Sequence, residues 1–202
     1  MKLIYSRLSP YARKVLVLAH ELGIVEQLEL VAATVTPTTH DAVANLHNPF
    51  GKVPTLLLED GQVLLDSRVI CDYLLDVYGS PALSPSGAEL WAMRTRAAVA
   101  EGLMDAAMVV RYEIGLRPEA VQWKEWVAAY EKKITQALDF LERSAANVAT
   151  PMPSLADIGM ACALGYLDFR FAHLNWRHGR PQLTAHHEAL AGRPSLIATR
   201  PS

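Results

Sequence analysis

Three short stretches carry residue types suited to holding an anion, each beside a predicted helix or strand start. In Ser9-Pro10-Tyr11-Ala12-Arg13, Ser9 takes the N-cap position and Pro10 the first helical position. The stretch follows a predicted strand by only a few residues, so the Ser9 hydroxyl falls at the end of a sheet beside a helix N-terminus. Unpaired backbone N–H groups and the helix dipole both favour negative charge there. The same serine also stands as a purely structural cap.

The second stretch is Gly51-Lys52-Val53-Pro54-Thr55. A residue before proline is pushed into an extended conformation, so Val53 presents its N–H and C=O outward. Pro54 cannot donate to a strand ladder, which suits an edge or a cis turn, and an extended peptide can pair with Val53 by strand addition. A rigid loop-to-strand corner accounts for the same five residues. The third stretch, Asp66-Ser67, opens a further helix and offers a carboxylate and a hydroxyl, or plain capping. The three make one site only if a sheet brings them to one end.

The elements around them alternate. Lys2 to Tyr5 reads as a strand, and Pro10 to Leu22 as a helix with Val15, Leu18 and Ala19 on its apolar face and Gly23 as its stop. Leu28 to Val31 reads as a second strand, and His40 to Leu46 as a weaker helix before the Asn48-Pro49-Phe50-Gly51 turn. Thr55 to Leu58 and Gln62 to Leu65 flank Asp60-Gly61 as a hairpin. A helix with Ile70, Tyr73, Leu74 and Val77 on its apolar face then ends at Gly79. The order β-α-β-α-β-β-α predicts a small mixed sheet with helices on its faces.

Ser80-Pro81 and Ser84-Pro85-Ser86-Gly87 read as a linker, placing one domain at 1–79 and a second, all-helical domain at 86–202. In the second, Leu90, Met93, Ala97, Ala100, Met104, Ala107, Arg111 and Ile114 trace one long helix, interrupted by Gly115 and Pro118. Trp123 to Leu141 is an amphipathic helix, with Trp123 and Trp126 read as helix packing. Ser154-x-x-Asp157 starts a third, running from Leu155 to Phe171, apolar on every side in its first half and therefore central. The tail from Arg193 reads as partly ordered.

With 202 residues, 51% hydrophobic and 20% charged, the chain can bury a substantial core, which excludes disorder. A net charge of −2 argues against a nucleic-acid surface. Its longest uncharged stretch, Ser144 to Ala156, is too short for a bilayer span, and the apolar run after Lys2 is too short for a signal peptide. The expectation is a cytoplasmic protein with no membrane partner. Cys71 and Cys162 are far apart and read as inert. His173, His178, His186 and His187 fit no metal spacing, so no metal is expected. Met104, Met108 and Tyr166 read as core residues or as the lining of an apolar pocket.

Ser-Pro-Tyr-Ala-Arg-Lys-Val, Asn-Pro-Phe-Gly-Lys-Val-Pro and Asp-Ser-Arg-Val-Ile, in this order before an all-helical half, resemble the cytosolic glutathione transferases. Gly102 to Ala106 and Ala163 to Arg170 are similar to the bacterial YibF-type glutathione-transferase-like proteins. The resemblance covers essentially the whole chain. It implies an α/β thioredoxin-like N-terminal domain, an all-α C-terminal bundle and a homodimer, in a cytoplasmic enzyme of the detoxification type. It also implies that Ser9 holds the glutathione sulfur, that Val53 pairs with the cysteinyl backbone beside a cis Pro54, and that Asp66 and Ser67 bind the γ-glutamyl carboxylate and amine, with Lys52 alongside. Glu101 would reach the partner subunit's glutathione, although most relatives carry Asp there. Tyr11, Met104, Met108 and Tyr166 would line the pocket for a small hydrophobic electrophile. The dithiol pair of glutaredoxin-like proteins falls at Ser9 and Ala12, so dithiol chemistry is absent.

A free thiol has a pKa of about 8.5, so little thiolate exists at neutral pH. A hydroxyl donating to the thiolate is worth roughly 1.5–3 kcal/mol, which lowers that pKa by ~1–2. A helix N-terminus adds about 0.3–1 kcal/mol. Ser9 then acts by stabilising an anion, without serving as a base. The expected function is transfer of the glutathione thiolate to an electrophile. The alternatives are a glutathione-dependent peroxidase or disulfide reductase, and a non-catalytic regulatory protein of the same fold.

Overall fold

The first strand, β1 (Lys2–Tyr5), sits in the interior of a four-stranded sheet and runs straight into helix α1 (Pro10–Glu21). Strand β2 (Glu29–Ala32), the short helix α2 (Ala42–His47), strands β3 (Thr55–Leu57) and β4 (Val63–Leu65) and helix α3 (Ser67–Tyr78) follow in the predicted order. The sheet order is β2-β1-β3-β4, with β1 parallel to β2 and antiparallel to β3, and β3 antiparallel to β4. In this computed structural model the described residues are 1–79, 83, 85–145 and 152–201. Ser80, Pro81 and Ser84 of the expected linker lie outside them.

Alternation along the strands splits the core of this unit into two layers. Ile4 joins Ala33 and Ala44 on one face, with Val31, Val35, Val53 and Leu57 packed against them. Leu3 and Leu56 are partners across the β1–β3 ladder and point the other way. Both are fully buried, as are Val15, Leu18, Ile70 and Leu74 of the mutually packed α1 and α3. Val77, expected on the apolar face of α3, is instead 50% exposed, the buried residues of that helix being Ser67, Ile70, Cys71 and Leu74.

The other unit holds α4 (Gly87–Leu116), α5 (Lys124–Ser144), α6 (Leu155–Arg170) and α7 (Pro181–Ala191). Helix α4 packs on α5 and α6, and α7 on α5 and α6. Every residue of α6 from Ile158 to Leu164 is buried, as its all-round apolarity requires. Its start carries the full capping box, Asp157 N–H donating to Ser154 Oγ and Ser154 N–H to Asp157 Oδ2.

Three expectations are corrected. Gly115 does not interrupt α4, which continues to Leu116; it ends where Arg117, preceding Pro118, turns extended. Ile114 is 47% exposed, since the buried stripe drifts to Val110 and Glu113. Trp123 and Trp126 are exposed and stack on one another, ring centroids 5.7 Å apart, instead of packing inward.

The chain divides into Met1–Ser84 with Pro194–Ser202, and Pro85–Arg193. The tail therefore belongs with the first unit and not, as expected, with the second. It is ordered as helix α8 (Pro194–Ala198), packed on α1. The buried Arg13 Nη2 donates to the carbonyl of Leu196 at 3.1 Å, and Ser195 Oγ donates to Glu21 Oε1.

Candidate active site

The register of the sheet decides where the three chemical stretches lie. Ile4 of β1 pairs with Thr55 of β3, and Thr55 pairs with Leu65 of β4. The C-terminal end of β1, the N-terminal end of β3 and the C-terminal end of β4 are thus neighbours at one end of the sheet. Strands in such ladders lie about 4.8 Å apart. The residues just beyond those ends are Ser9, Val53-Pro54 and Asp66-Ser67, so the fold brings all three stretches to one edge.

Ser9 caps α1 in an extended conformation (φ −84°, ψ 119°), and its Oγ accepts from Ala12 N–H at 3.2 Å. Accepting uses one lone pair and leaves the hydroxyl proton for a second partner. Tyr11 lies in the first turn of α1 and is half-buried.

The Val53–Pro54 bond is cis, as expected for this corner. Val53 lies just outside the β3 ladder, which begins at Thr55, while its side chain packs on the Ile4 cluster. The corner is fixed by Asn48, which is only 4% exposed. Its Nδ2 donates to the Lys52 carbonyl at 2.9 Å and to Thr55 Oγ1 at 3.1 Å, and its Oδ1 accepts from Phe50 N–H at 2.9 Å. Thr55 Oγ1 in turn donates to the Lys52 carbonyl at 3.1 Å. Lys52 itself is exposed, its Nζ 5.9 Å from the Phe50 ring centroid.

Asp66 caps α3 from a left-handed backbone conformation (φ 73°, ψ 132°), unusual for a residue with a Cβ and costing of order 1–3 kcal/mol. Its Oδ1 accepts from Arg68 N–H at 2.9 Å and Arg68 Nε at 3.1 Å, and its Oδ2 from Arg68 Nη2 at 2.7 Å. The Arg68 side chain holds the Asp66 carboxyl below the usual range against partial burial, and Lys14 on α1 adds to the effect. Ser67 is buried beside it at the helix start.

Glu101, Met104, Met108 and Tyr166 belong to the helical unit. Glu101 is 7% exposed on α4, Met104 is fully buried and Tyr166 is 4% exposed. Tyr166 Oη donates to the half-buried Met108 Sδ at 3.1 Å, and burial pushes the phenol up to about 12. The histidines are engaged separately. His173 lies 3.0 Å from Glu131, His186 3.4 Å from Asp157, and His187 stands edge-on to Trp176. Among the described residues no group of His, Cys, Asp and Glu is arranged to hold a metal ion.

Sequence reasoning missed two contributors to this edge, Asn48 and Arg68. Asn48 stood in the text as a turn former, and nothing local shows that its amide spans to Thr55. Arg68 lies within the Asp66-Ser67-Arg68-Val69-Ile70 motif, where its two-residue spacing from the N-cap Asp66 is the signal that points to it.

A sheet edge of this kind on a mixed β-α-β-α-β-β-α unit, joined in one chain to a helical unit, defines a known class of protein. Residues 8–77 match the glutathione S-transferase N-terminal domain and residues 124–189 the glutathione S-transferase C-terminal domain. The chain belongs to the glutathione S-transferase family. It is 36% identical over 205 residues to an uncharacterized GST-like protein, YibF, of Escherichia coli K12, covering 100% of this chain and 98% of that one. A glutathione transferase family member from Pseudomonas fluorescens Pf-5, solved with bound glutathione, is 45% identical with a TM-score of 0.94, covering 100% of this chain and 98% of that one. A glutathione S-transferase from Methylobacillus flagellatus KT, also solved with glutathione bound, is 36% identical with a TM-score of 0.88, covering 100% and 99%.

Proposed function

We propose that this chain binds glutathione at the sheet edge and transfers its thiolate to a small hydrophobic electrophile. The observation that carries the reading is the in-register convergence of Ile4, Thr55 and Leu65, which gathers Ser9, Val53 and Asp66-Ser67. The Ser9 hydroxyl, with one lone pair engaged by Ala12 N–H, keeps its proton and donates a hydrogen bond to the thiolate sulfur. Val53 pairs with the cysteinyl backbone by strand addition, beyond the point where the ladder ends. Asp66 and Ser67 take the γ-glutamyl amine and carboxylate at the start of α3, with Lys52 alongside. Relatives solved with glutathione bound support the choice of ligand. In a homodimer of cytoplasmic chains, Glu101 extends the γ-glutamyl contacts from the partner subunit.

The reaction needs no resident metal. The protein supplies position, and an electrostatic environment that keeps sulfur anionic at neutral pH, which makes it nucleophilic. Retention on immobilised glutathione, followed by aryl-halide conjugation compared with thiol-dependent hydroperoxide reduction, tests the proposal. Conjugation as the faster reaction supports transfer. Retention with hydroperoxide reduction alone makes the site a peroxidase, and no retention removes it.

A further inference from the structure

The C-terminal tail runs back along α1 and grips it at both ends. Near the end of α1, Glu21 Oε1 accepts from Ser195 Oγ. Near its start, Arg13 donates from Nη2 to the Leu196 carbonyl at 3.1 Å and from Nε to Thr199 Oγ1 at 3.4 Å. Thr199 Oγ1 donates in turn to the Ser195 carbonyl at 2.8 Å, which joins the two grips. At 1.5 Å per helical residue they lie about 12 Å apart along α1. The contact at Arg13 serves both sides. Arg13 is only 9% exposed, and a buried guanidinium is costly unless its donors are met. The first turn of α1 holds no acidic residue, so acceptors come from the tail. Leu196 is among the last four residues of α8, whose carbonyls find no donor within the helix.

Ser9 has no such anchor of its own. Its N–H donates to the Ser6 carbonyl at 3.1 Å, its Oγ accepts from Ala12 N–H at 3.2 Å, and its carbonyl accepts from Arg13 N–H at 3.0 Å. Each of these partners lies in the preceding loop or in the first residues of α1, so the hydroxyl sits wherever that turn is set. We propose that Arg13 is a positioning residue, through which the C-terminal tail holds the first turn of α1 and with it the Ser9 hydroxyl. Arg13 suits the task because its planar fork reaches two acceptors in fixed directions, whereas an ammonium fixes none. The inference rests on the reading of Ser9 as the residue that holds the sulfur.

The test uses the full chain in four forms: unaltered, Arg13→Lys, Arg13→Met, and Ser195→Ala combined with Thr199→Val. The last loosens the tail and leaves every charge in place. In it, and in Arg13→Lys, kcat for aryl-halide conjugation at neutral pH should fall about three- to tenfold, with KM for glutathione within about twofold. The pH–rate profile should move upward by about half to one pH unit, and further in Arg13→Met. Amide hydrogen exchange at Ala12 and Arg13 should quicken by about tenfold in the tail variant, while Ile70 and Leu74 on α3 hold their rates. Equal quickening on α1 and α3 would mean that the tail supports the whole fold, and would overturn the inference. Changes confined to Arg13→Met, with the other two variants matching the unaltered protein, would make Arg13 a matter of charge alone and overturn it too. If Arg13→Met does not fold, the other two variants decide. If the unaltered protein neither binds glutathione nor conjugates, the reading of Ser9 falls, and exchange at Ala12, which needs no ligand, decides the grip by itself.

Discussion

The side-chain amide of Asn48 donates to the carbonyl of Lys52 at 2.9 Å from a position only 4% exposed, so a buried residue holds the corner that leads into Val53-Pro54. Three hydrogen bonds converge on this amide, to Lys52, Thr55 and Phe50. Asn48→Ala would leave the buried Thr55 hydroxyl and two backbone groups short of a partner. Each unmet buried group costs about 1–3 kcal/mol, less what Thr55 Oγ1 recovers through its own bond to Lys52. The expected outcome is a loss of about 1–3 kcal/mol in urea unfolding and a raised KM for glutathione with a smaller change in kcat. Unchanged stability and KM would show that the corner is held by the rest of the loop.

The Asp66 carboxyl is held low in the folded protein, chiefly by Arg68. A depressed carboxyl contributes stability above its unfolded value, near 3.8, and loses it as pH falls through the folded one. Asn tolerates left-handed backbone as Asp does, so Asp66→Asn isolates the charge. The stability gap between the two proteins should be flat from neutral pH down to about pH 4 and close below it. Thermal melts across that range measure it, and a gap that widens on acidification contradicts the assignment.

How much of this was legible in advance follows from where each cap comes from. The starts of α1, α3 and α6 carry their own caps, Ser9, Asp66 and Ser154, and all three were readable from adjacent residues. Helices α5 and α7 borrow theirs. Glu113 of α4 accepts from Trp123 N–H at 2.9 Å, which draws its carboxyl low together with Arg117. Glu142 of α5 accepts from Gln182 N–H at 3.0 Å and Leu183 N–H at 2.7 Å. Only Pro181 at its first turn marks α7 locally, so the adjacent residues do not locate its start. The tail was misassigned for the same reason, because the partners of Leu196 and Ser195 are Arg13 and Glu21, more than 170 residues earlier. The site fared better because hairpin chemistry at Asp60-Gly61 fixes the β3–β4 register, and with it the position of Asp66.

In the helical unit, Asp168 gathers Trp176 Nε1 at 2.8 Å and the Arg177 fork at 2.6 and 2.9 Å. Burial alone would raise its carboxyl, but these donors hold it low. Asp168→Ala leaves the indole N–H of Trp176, a residue 2% exposed, without this acceptor, and should cost about 1–3 kcal/mol. Asp168→Asn keeps an acceptor and should cost less. Chemical denaturation of both variants checks the order, and equal losses would point to the Arg177 pair instead.

A two-fold dimer presents the same patch from each subunit. Sedimentation equilibrium at micromolar concentration should give a particle of twice the 22.2 kDa chain mass. A 22.2 kDa particle would leave Glu101 with no partner subunit to reach, and its role would be lost.

Ser9 decides whether the proposed chemistry is right. In the proposed site most ground-state contacts of the ligand would come from Val53, Asp66 and Ser67, whereas the Ser9 hydroxyl would act on the charge of the sulfur. Ser9→Ala should therefore weaken thiolate formation far more than glutathione binding. Losing roughly 1.5–3 kcal/mol from the anion raises the bound thiol's pKa by ~1–2 and slows conjugation at neutral pH by about one to two orders of magnitude. The substitution also removes the oxygen that accepts from Ala12 N–H, at a cost of about 1 kcal/mol to the start of α1. Ser9→Thr keeps both the cap and the donor, and should retain most of the rate. Replacing Asp66 should act differently, raising KM for glutathione more than it lowers kcat. A pH–rate profile for each variant, with ultraviolet titration of the bound thiolate, separates these effects. If Ser9→Ala leaves both the thiolate pKa and the rate unchanged, another group activates the sulfur and Ser9 is only the cap of α1.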